Sequence, residues 1–366
     1  MLDLKRQFAS IREEVLREVE AVFESQRFIL GEQGVALERE IAEKLSAGHA
    51  IALSSGTDAL LAGLMALGIK AGDEVVVPSF SFFATAGVVS RLSAVPVFAD
   101  IDERDFTLSP GSFEAKVTPR TRAVIPVHLY GQSADLDSIR EIAARRKIAV
   151  LEDACQAIGA TYKGRAVGTI GEIGAFSFFP TKNLGSAGDA GLATTNDDAL
   201  AGRLRKLRVH GMEARYYHAE VGGNFRMDEI QAAVLRVKLR KLDEWTGRRR
   251  EIAAQYARGL AGEEAAGRIV LPKIQPGRDH IFHQFVVRVR NRDEVRRRLS
   301  EAGVGSEVYY PVSLHLQECF APLGGKPGDL PVSEKAAREV LALPIWPELT
   351  DPEVFHVVSR LTAAIA

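Results

Sequence analysis

A chain of 366 residues can form one large domain with a smaller second one, or two medium domains, and 46% hydrophobic with 26% charged residues is the balance of an ordinary globular protein. A formal net charge of −1 gives no ground for nucleic acid or an acidic membrane as partner. Cys155 and Cys319 show no metal-ligand spacing and exclude a disulfide framework. Without a leader pattern after Met1 or an apolar run long enough to cross a bilayer, a cytoplasmic protein is expected.

Residues 1–25 read as an amphipathic helix. The middle of the chain then alternates short apolar runs with helical patterns, the mark of α/β architecture. Strands are expected at Glu74–Val77, Val95–Ala99, Ala123–Val127, Ile148–Leu151, Ala175–Phe178 and Leu192–Thr194. Helices are expected at Asp58–Leu67, closed by Gly68, and at Leu136–Lys147 with Asp135 as N-cap. A nearly continuous helical pattern runs from Asp228 to about Leu260. Beyond it His280–Arg290 alternates like a strand, Asp293–Ala302 is helical, Glu307–Tyr310 is a strand, and a last helix begins near Pro352. The division expected is a helical segment over 1–25, a large domain over 26–240 and a smaller α+β domain over 241–366. The arginine runs at 248–250 and 296–298 read as solvated helix faces.

Three segments can carry chemistry. Ser54-Ser55-Gly56-Thr57-Asp58 stands before a helix, where free N–H groups and the positive dipole end suit a phosphate, or form a plain N-cap and tight turn. Glu152-Asp153-Ala154-Cys155-Gln156 follows an apolar strand, where α/β sheets bind ligands. An acid there suits a pyridine nitrogen, or caps the next helix. Lys182 stands in a loop flanked by Phe178, Phe179 and Leu184, with no acid before Asp189. A partly desolvated ammonium gives up its proton readily, and a neutral amine is what Schiff-base chemistry needs.

These segments, with PSFSFFATA, HLYGQSADLD and NFRMDEIQAA, resemble the DegT/DnrJ/EryC1/StrS sugar aminotransferases from Leu2 to Pro344, nearly the whole chain. The resemblance implies fold type I of the pyridoxal-phosphate enzymes, an aspartate-aminotransferase-like α/β fold with a mostly parallel, mixed seven-stranded sheet and a smaller α+β C-terminal domain. It also implies that Lys182 carries pyridoxal 5′-phosphate as a Schiff base and shuttles the proton. Asp153 pairs with the pyridine nitrogen and Gln156 lies near the phenolic oxygen. Gly56, Thr57 and Ser177 hold the phosphate, and Phe82 stacks on the ring. Asn224 reaches the phosphate of a partner subunit's cofactor, so a homodimer shares its active sites. Gly31, Arg226, Tyr309 and Tyr310 match substrate-contacting positions, and relatives often have His at one of the two tyrosines.

The reaction so implied moves an amino group from L-glutamate to a keto-sugar on UDP or dTDP, with a 3-keto substrate favoured over a 4-keto one, for lipopolysaccharide O-antigen or secondary metabolism. Two other classes are weighed. Dehydratase relatives carry His where this chain has Lys182, and a non-catalytic sensor would have lost some of Asp153, Lys182 and Asn224. The glycines at 168, 171 and 174 lack the strand and helix of a dinucleotide fingerprint. His280 and His283, in a strand-like pattern, would face opposite sides and so bind no metal.

Overall fold

The computed structural model describes residues 2–366. Helix α1 (Leu4–Ser25), capped by the Asp3 side chain, buries Ile11, Val15 and Val22. It is followed by α2 (Glu32–Leu45), strand β1 (His49–Leu53) and α3 (Gly56–Ala66). Then come β2 (Glu74–Pro78), α4 (Ala84–Arg91), β3 (Val95–Ala99), α5 (Pro110–Lys116) and β4 (Thr121–Val124). The run continues through α6 (Leu136–Arg146), β5 (Ala149–Asp153), the small hairpin β6 (Thr161–Tyr162) and β7 (Arg165–Ala166), β8 (Ile173–Ser177) and β9 (Gly191–Thr195).

Seven strands form one sheet in the order β1-β9-β8-β5-β4-β2-β3. The pairs from β8 to β3 are parallel, and β9 runs antiparallel between β1 and β8. This is the mixed, mostly parallel sheet expected. Period-two alternation divides its side chains between layers. Ile51, Leu53, Val75, Val77 and Leu151 pack with α3 and α4, whereas Ala50, Ala52, Val76 and Val150 face α2, α5 and α6.

The chain goes on with α7 (Asp198–Leu207), the hairpin β10 (Met212–Ala214) and β11 (Tyr217–His218), α8 (Glu229–Leu239) and α9 (Leu242–Ala265). A three-stranded sheet joins β12 (Ile269–Val270), β13 (Phe285–Val289) and β14 (Val340–Leu343). It packs with α10 (Arg292–Glu301), α11 (Pro331–Glu339) and α12 (Asp351–Ile365) around a second core.

Four local expectations need correction. The continuous helix from Asp228 breaks at Arg240–Lys241, where no Pro or Gly warns of it: α8 lies against α1 and α2, and α9 turns away to pack on α12. Asp135 does not cap α6 with its side chain; it accepts from Ser138 Oγ and Tyr162 OH instead. The strand expected at Glu307–Tyr310 shrinks to one bridge between Glu307 and Ala342. Arg249 is not a solvated charge: it is 3% exposed and donates to the carbonyls of Phe282, His283 and Ile345 at 3.1, 3.3 and 3.0 Å. Its neighbours Arg248 and Arg250, and the run at 296–298, do form surface ion pairs.

Two of the three glycines, Gly168 and Gly171, help to wrap a buried carboxylate. Glu152, 0% exposed, accepts from the backbone N–H groups of Gly168, Ile170 and Gly171 at 2.7, 2.7 and 2.6 Å, and faces His128 Nε2 at 2.9 Å. His128 Nδ1 accepts from the N–H of Ala134, so Nε2 carries the proton toward Glu152. Burial pushes the Glu152 carboxyl up, but His128 and the donors of Gly171 and Gly168 outweigh it and hold it below the usual range. Glu152→Ala strands these donors and should cost about 3–5 kcal/mol in urea unfolding. A carboxyl held below its unfolded pKa of about 4.3 stabilises above that value and loses its contribution as pH falls through the folded one, so the variant's stability should fall less steeply in acid.

Candidate active site

At the carboxyl ends of β2, β5 and β8 lies a cavity of about 550 Å³, lined also by His283 and Gln284 before β13 and by Tyr309 and Tyr310. One wall is the start of α3. Ser55 caps it by accepting from the N–H of Asp58 at 3.0 Å, and Gly56 and Thr57 form its first turn, whose N–H groups lack intrahelical acceptors. A Cβ on Gly56 would stand 2.6 Å from Ser177 Cβ and 2.9 Å from Cys155 Sγ, so only glycine lets the helix start sit this close to the end of β8.

Asp153 closes the floor at 5% exposure. Thr85 Oγ1 donates to its Oδ2 at 2.8 Å and the N–H of Cys155 to its Oδ1 at 3.2 Å. Each oxygen keeps a lone pair for a group in the cavity. Gln156 is fixed at both ends, accepting from the N–H of Tyr130 at 3.0 Å and donating to Tyr310 OH at 3.1 Å. Phe82, 55% exposed, leans on Tyr310 with ring centroids 6.2 Å apart.

Lys182 follows β8 in the turn closed by its N–H to the carbonyl of Phe179 at 2.8 Å. Its stem is half-buried and its amine is sunk in the cavity; burial lowers its pKa, against the opposing pull of Cys155 and Asp153. Burial also pushes Cys155 and Tyr310 up, so both remain neutral at physiological pH. Among the described residues, no cluster of three or more His, Cys, Asp or Glu is arranged to hold a metal.

Of the residues singled out from sequence, Gly56, Thr57, Phe82, Asp153, Gln156, Ser177, Lys182, Tyr309 and Tyr310 line this one cavity. Asn224, Arg226 and Gly31 do not. Arg226 Nε donates to Asn224 Oδ1 at 2.8 Å on the exposed surface, and Gly31 opens α2 beside a surface depression of about 830 Å³ lined by residues 26–39. Sequence reasoning missed Thr85, Cys155 and Gln284 as members of the site, and set His283 aside. Thr85 was legible only as part of PSFSFFATA. His283 was hidden by the strand pattern: the strand begins at Phe285, and with Phe282 at φ 46° the preceding residues leave the alternation.

Comparison with known proteins places this geometry. The chain is 49% identical to a "pleiotropic regulatory protein" of Geobacillus stearothermophilus, over 99% of this chain and 97% of that one. It is 43% identical to a UDP-N-acetyl-3-dehydro-α-D-glucosamine 3-aminotransferase of Acidithiobacillus ferrooxidans, over 98% and 96%. The crystal structure of DesV from Streptomyces venezuelae, in complex with a ketimine intermediate, superposes with a TM-score of 0.96 at 43% identity, covering 99% and 97%. NtdA from Bacillus subtilis, with bound cofactor PMP, gives 0.92 at 35%, covering 97% and 82%.

The architecture is that of a pyridoxal-phosphate enzyme of fold type I. Within that class the chain belongs to the DegT/DnrJ/EryC1/StrS aminotransferase family, whose model matches residues 9–362. The cofactor is pyridoxal 5′-phosphate, and the cavity suits it: a glycine-opened helix start for an anion, a buried carboxylate with free lone pairs, and an amine. Gly56→Ala should push α3 off β8, lowering stability by about 1–3 kcal/mol in urea unfolding and weakening cofactor retention on dialysis.

Proposed function

We propose that this enzyme moves an amino group from L-glutamate to a keto-sugar carried on UDP or dTDP, with the ketone at C3. The observation that carries the reading is the meeting of Lys182 and Asp153 in one cavity beside a helix N-terminus. Relatives named for transfer to a 3-dehydro-glucosamine, a 3-oxo-glucuronate and two dTDP-3-amino sugars support the C3 position.

In this reading Gly56, Thr57 and the Ser177 hydroxyl hold the phosphate, Asp153 faces the pyridine nitrogen, Gln156 directs Nε2 toward the phenolic oxygen, and Phe82 covers a ring face. The cofactor, when bound, supplies an electron sink for a carbon next to nitrogen. Lys182 would anchor it and, as a free amine, would carry a proton between the donor's Cα and the cofactor's C4′, a task for which a buried amine of lowered pKa is suited. Asp153 keeps the ring nitrogen protonated, and Thr85 and the Cys155 N–H keep the carboxylate aimed.

Asn224 and Arg226, which do not line this chain's own cavity, would serve the cavity of a second copy of the chain. Beside Gly31 the apolar side chains of Ile29, Leu30 and Val35 stand 42, 47 and 64% exposed, a surface fit for self-association. Arg226 then supplies a cation for the substrate's diphosphate.

A sensor reading draws on the regulatory names of two relatives, 49 and 44% identical. The visible spectrum decides: glutamate should bleach the cofactor's long-wavelength band in a transaminase, and leave it unchanged in a sensor. Lys182→Ala should abolish both the yellow colour and transamination; retention of both would refute the reading. A panel of 3-keto and 4-keto nucleotide sugars should show turnover with the former. Mixing Lys182→Ala with Asn224→Ala protein should restore activity through hybrid dimers with one intact site, whereas each variant alone stays inactive.

A further inference from the structure

We propose that His283 is a positioning residue for Lys182: Asn183, next to the lysine, holds the His283 ring with Nδ1 protonated, and the bare Nε2, unpartnered in the cavity, is the acceptor toward which the lysine amine turns when it collects a proton. Asn183 is 6% exposed, and its Nδ2 donates to the carbonyl of Ile281 at 3.2 Å. That assigns its Oδ1 to His283 Nδ1, 3.1 Å away, and an amide oxygen only accepts, so Nδ1 bears the hydrogen. Nε2 has no hydrogen-bond partner among the described residues, in a side chain that is nine-tenths buried yet lines the cavity with Lys182.

The ring is held there from behind. Arg249 takes the carbonyls of Phe282 and His283, and the left-handed Phe282 turns the chain out of the strand before Phe285. The companion histidine is spent locally: His280 Nδ1 accepts from the N–H of Phe282 at 2.9 Å, and its ring stacks on that phenyl. Burial, then the charges of Lys182 and Arg249 and the His280 ring, keep His283 neutral at physiological pH, so it meets the amine as an acceptor. Cys155 and Asp153 also act on the Lys182 amine, opposing the effect of its burial. A neutral acceptor holds the ammonium form of Lys182, the form it takes on collecting a proton, without adding a charge to the cavity.

This deepens the reading of Lys182 as the reactive lysine, and its test uses cofactor-free protein so that the two fail separately. Competitive acetylation followed by mass spectrometry of the Lys182 peptide gives the amine's titration midpoint. His283→Phe, which keeps a ring and removes the acceptor, should lower the midpoint by about one pH unit, and His283→Gln, which restores an acceptor, should recover most of the shift. An unchanged midpoint in the Phe variant, or a Gln variant that behaves like Phe, overturns the proposal, since a ring that only packs would give one or the other. The wild-type protein provides a second check that needs no variant. With ¹⁵N-labelled histidine, His283 should show the Nδ1–H tautomer, and an Nε2–H tautomer would overturn the assignment. Transamination that survives Lys182→Ala would instead remove the reading of Lys182 itself.

Discussion

The parallel pairing of β5 with β8 is the constraint on which the site rests. In that register Asp153 lies opposite Ala175, two residues before Ser177 and seven before Lys182, so both chains deliver their chemistry at the same end of the sheet. Side chains alternate along β5, and the adjacent carboxylates therefore meet opposite fates. Glu152 turns into the protein and is wrapped by three backbone donors and His128; Asp153 turns into the cavity. A slip by one residue would exchange them, which places an unsolvated charge among apolar side chains and empties the cavity of its acid. The glycine-rich wrapping of Glu152 is thus what holds Asp153 in place.

Much of this was legible in the sequence because the pattern and the packing agree. Strand–helix alternation announced a parallel sheet, and apolar flanks announced a lysine withdrawn from water. What was not legible arises where tertiary contacts override a local pattern. The helix break after Leu239 follows from α8 and α9 serving different layers, and carries no Pro or Gly. Arg249 sits in a run of three arginines indistinguishable from a solvated face, yet three carbonyls from two other segments converge on it. The alternation over His280–Arg290 continues in composition through residues whose backbone has already left the strand, which is how His283 came to be set aside. Period-two reasoning reports the face a side chain would take in an extended chain, and it fails wherever the chain is bent to serve a cavity.

The cavity's charge is kept low. Cys155 and Tyr310 are held neutral by burial, and His283 by burial together with neighbouring positive charge. Of its lining residues only Asp153, Lys182 and Asp189 can then bear charge. In surroundings of low dielectric a fourth fixed charge beside Lys182 would shift its pKa strongly. Neutral groups orient without that cost: Gln156 and Tyr310 fix each other, and His283 is fixed by Asn183. The same economy leaves the cavity with one cation among its lining residues, Lys182. On the proposed reading a substrate bearing a diphosphate finds its positive partners elsewhere, and Arg226, paired with Asn224 outside the cavity, is the cation assigned to it. On the proposed reading, a cavity with so little positive charge of its own calls for a cation from outside its lining.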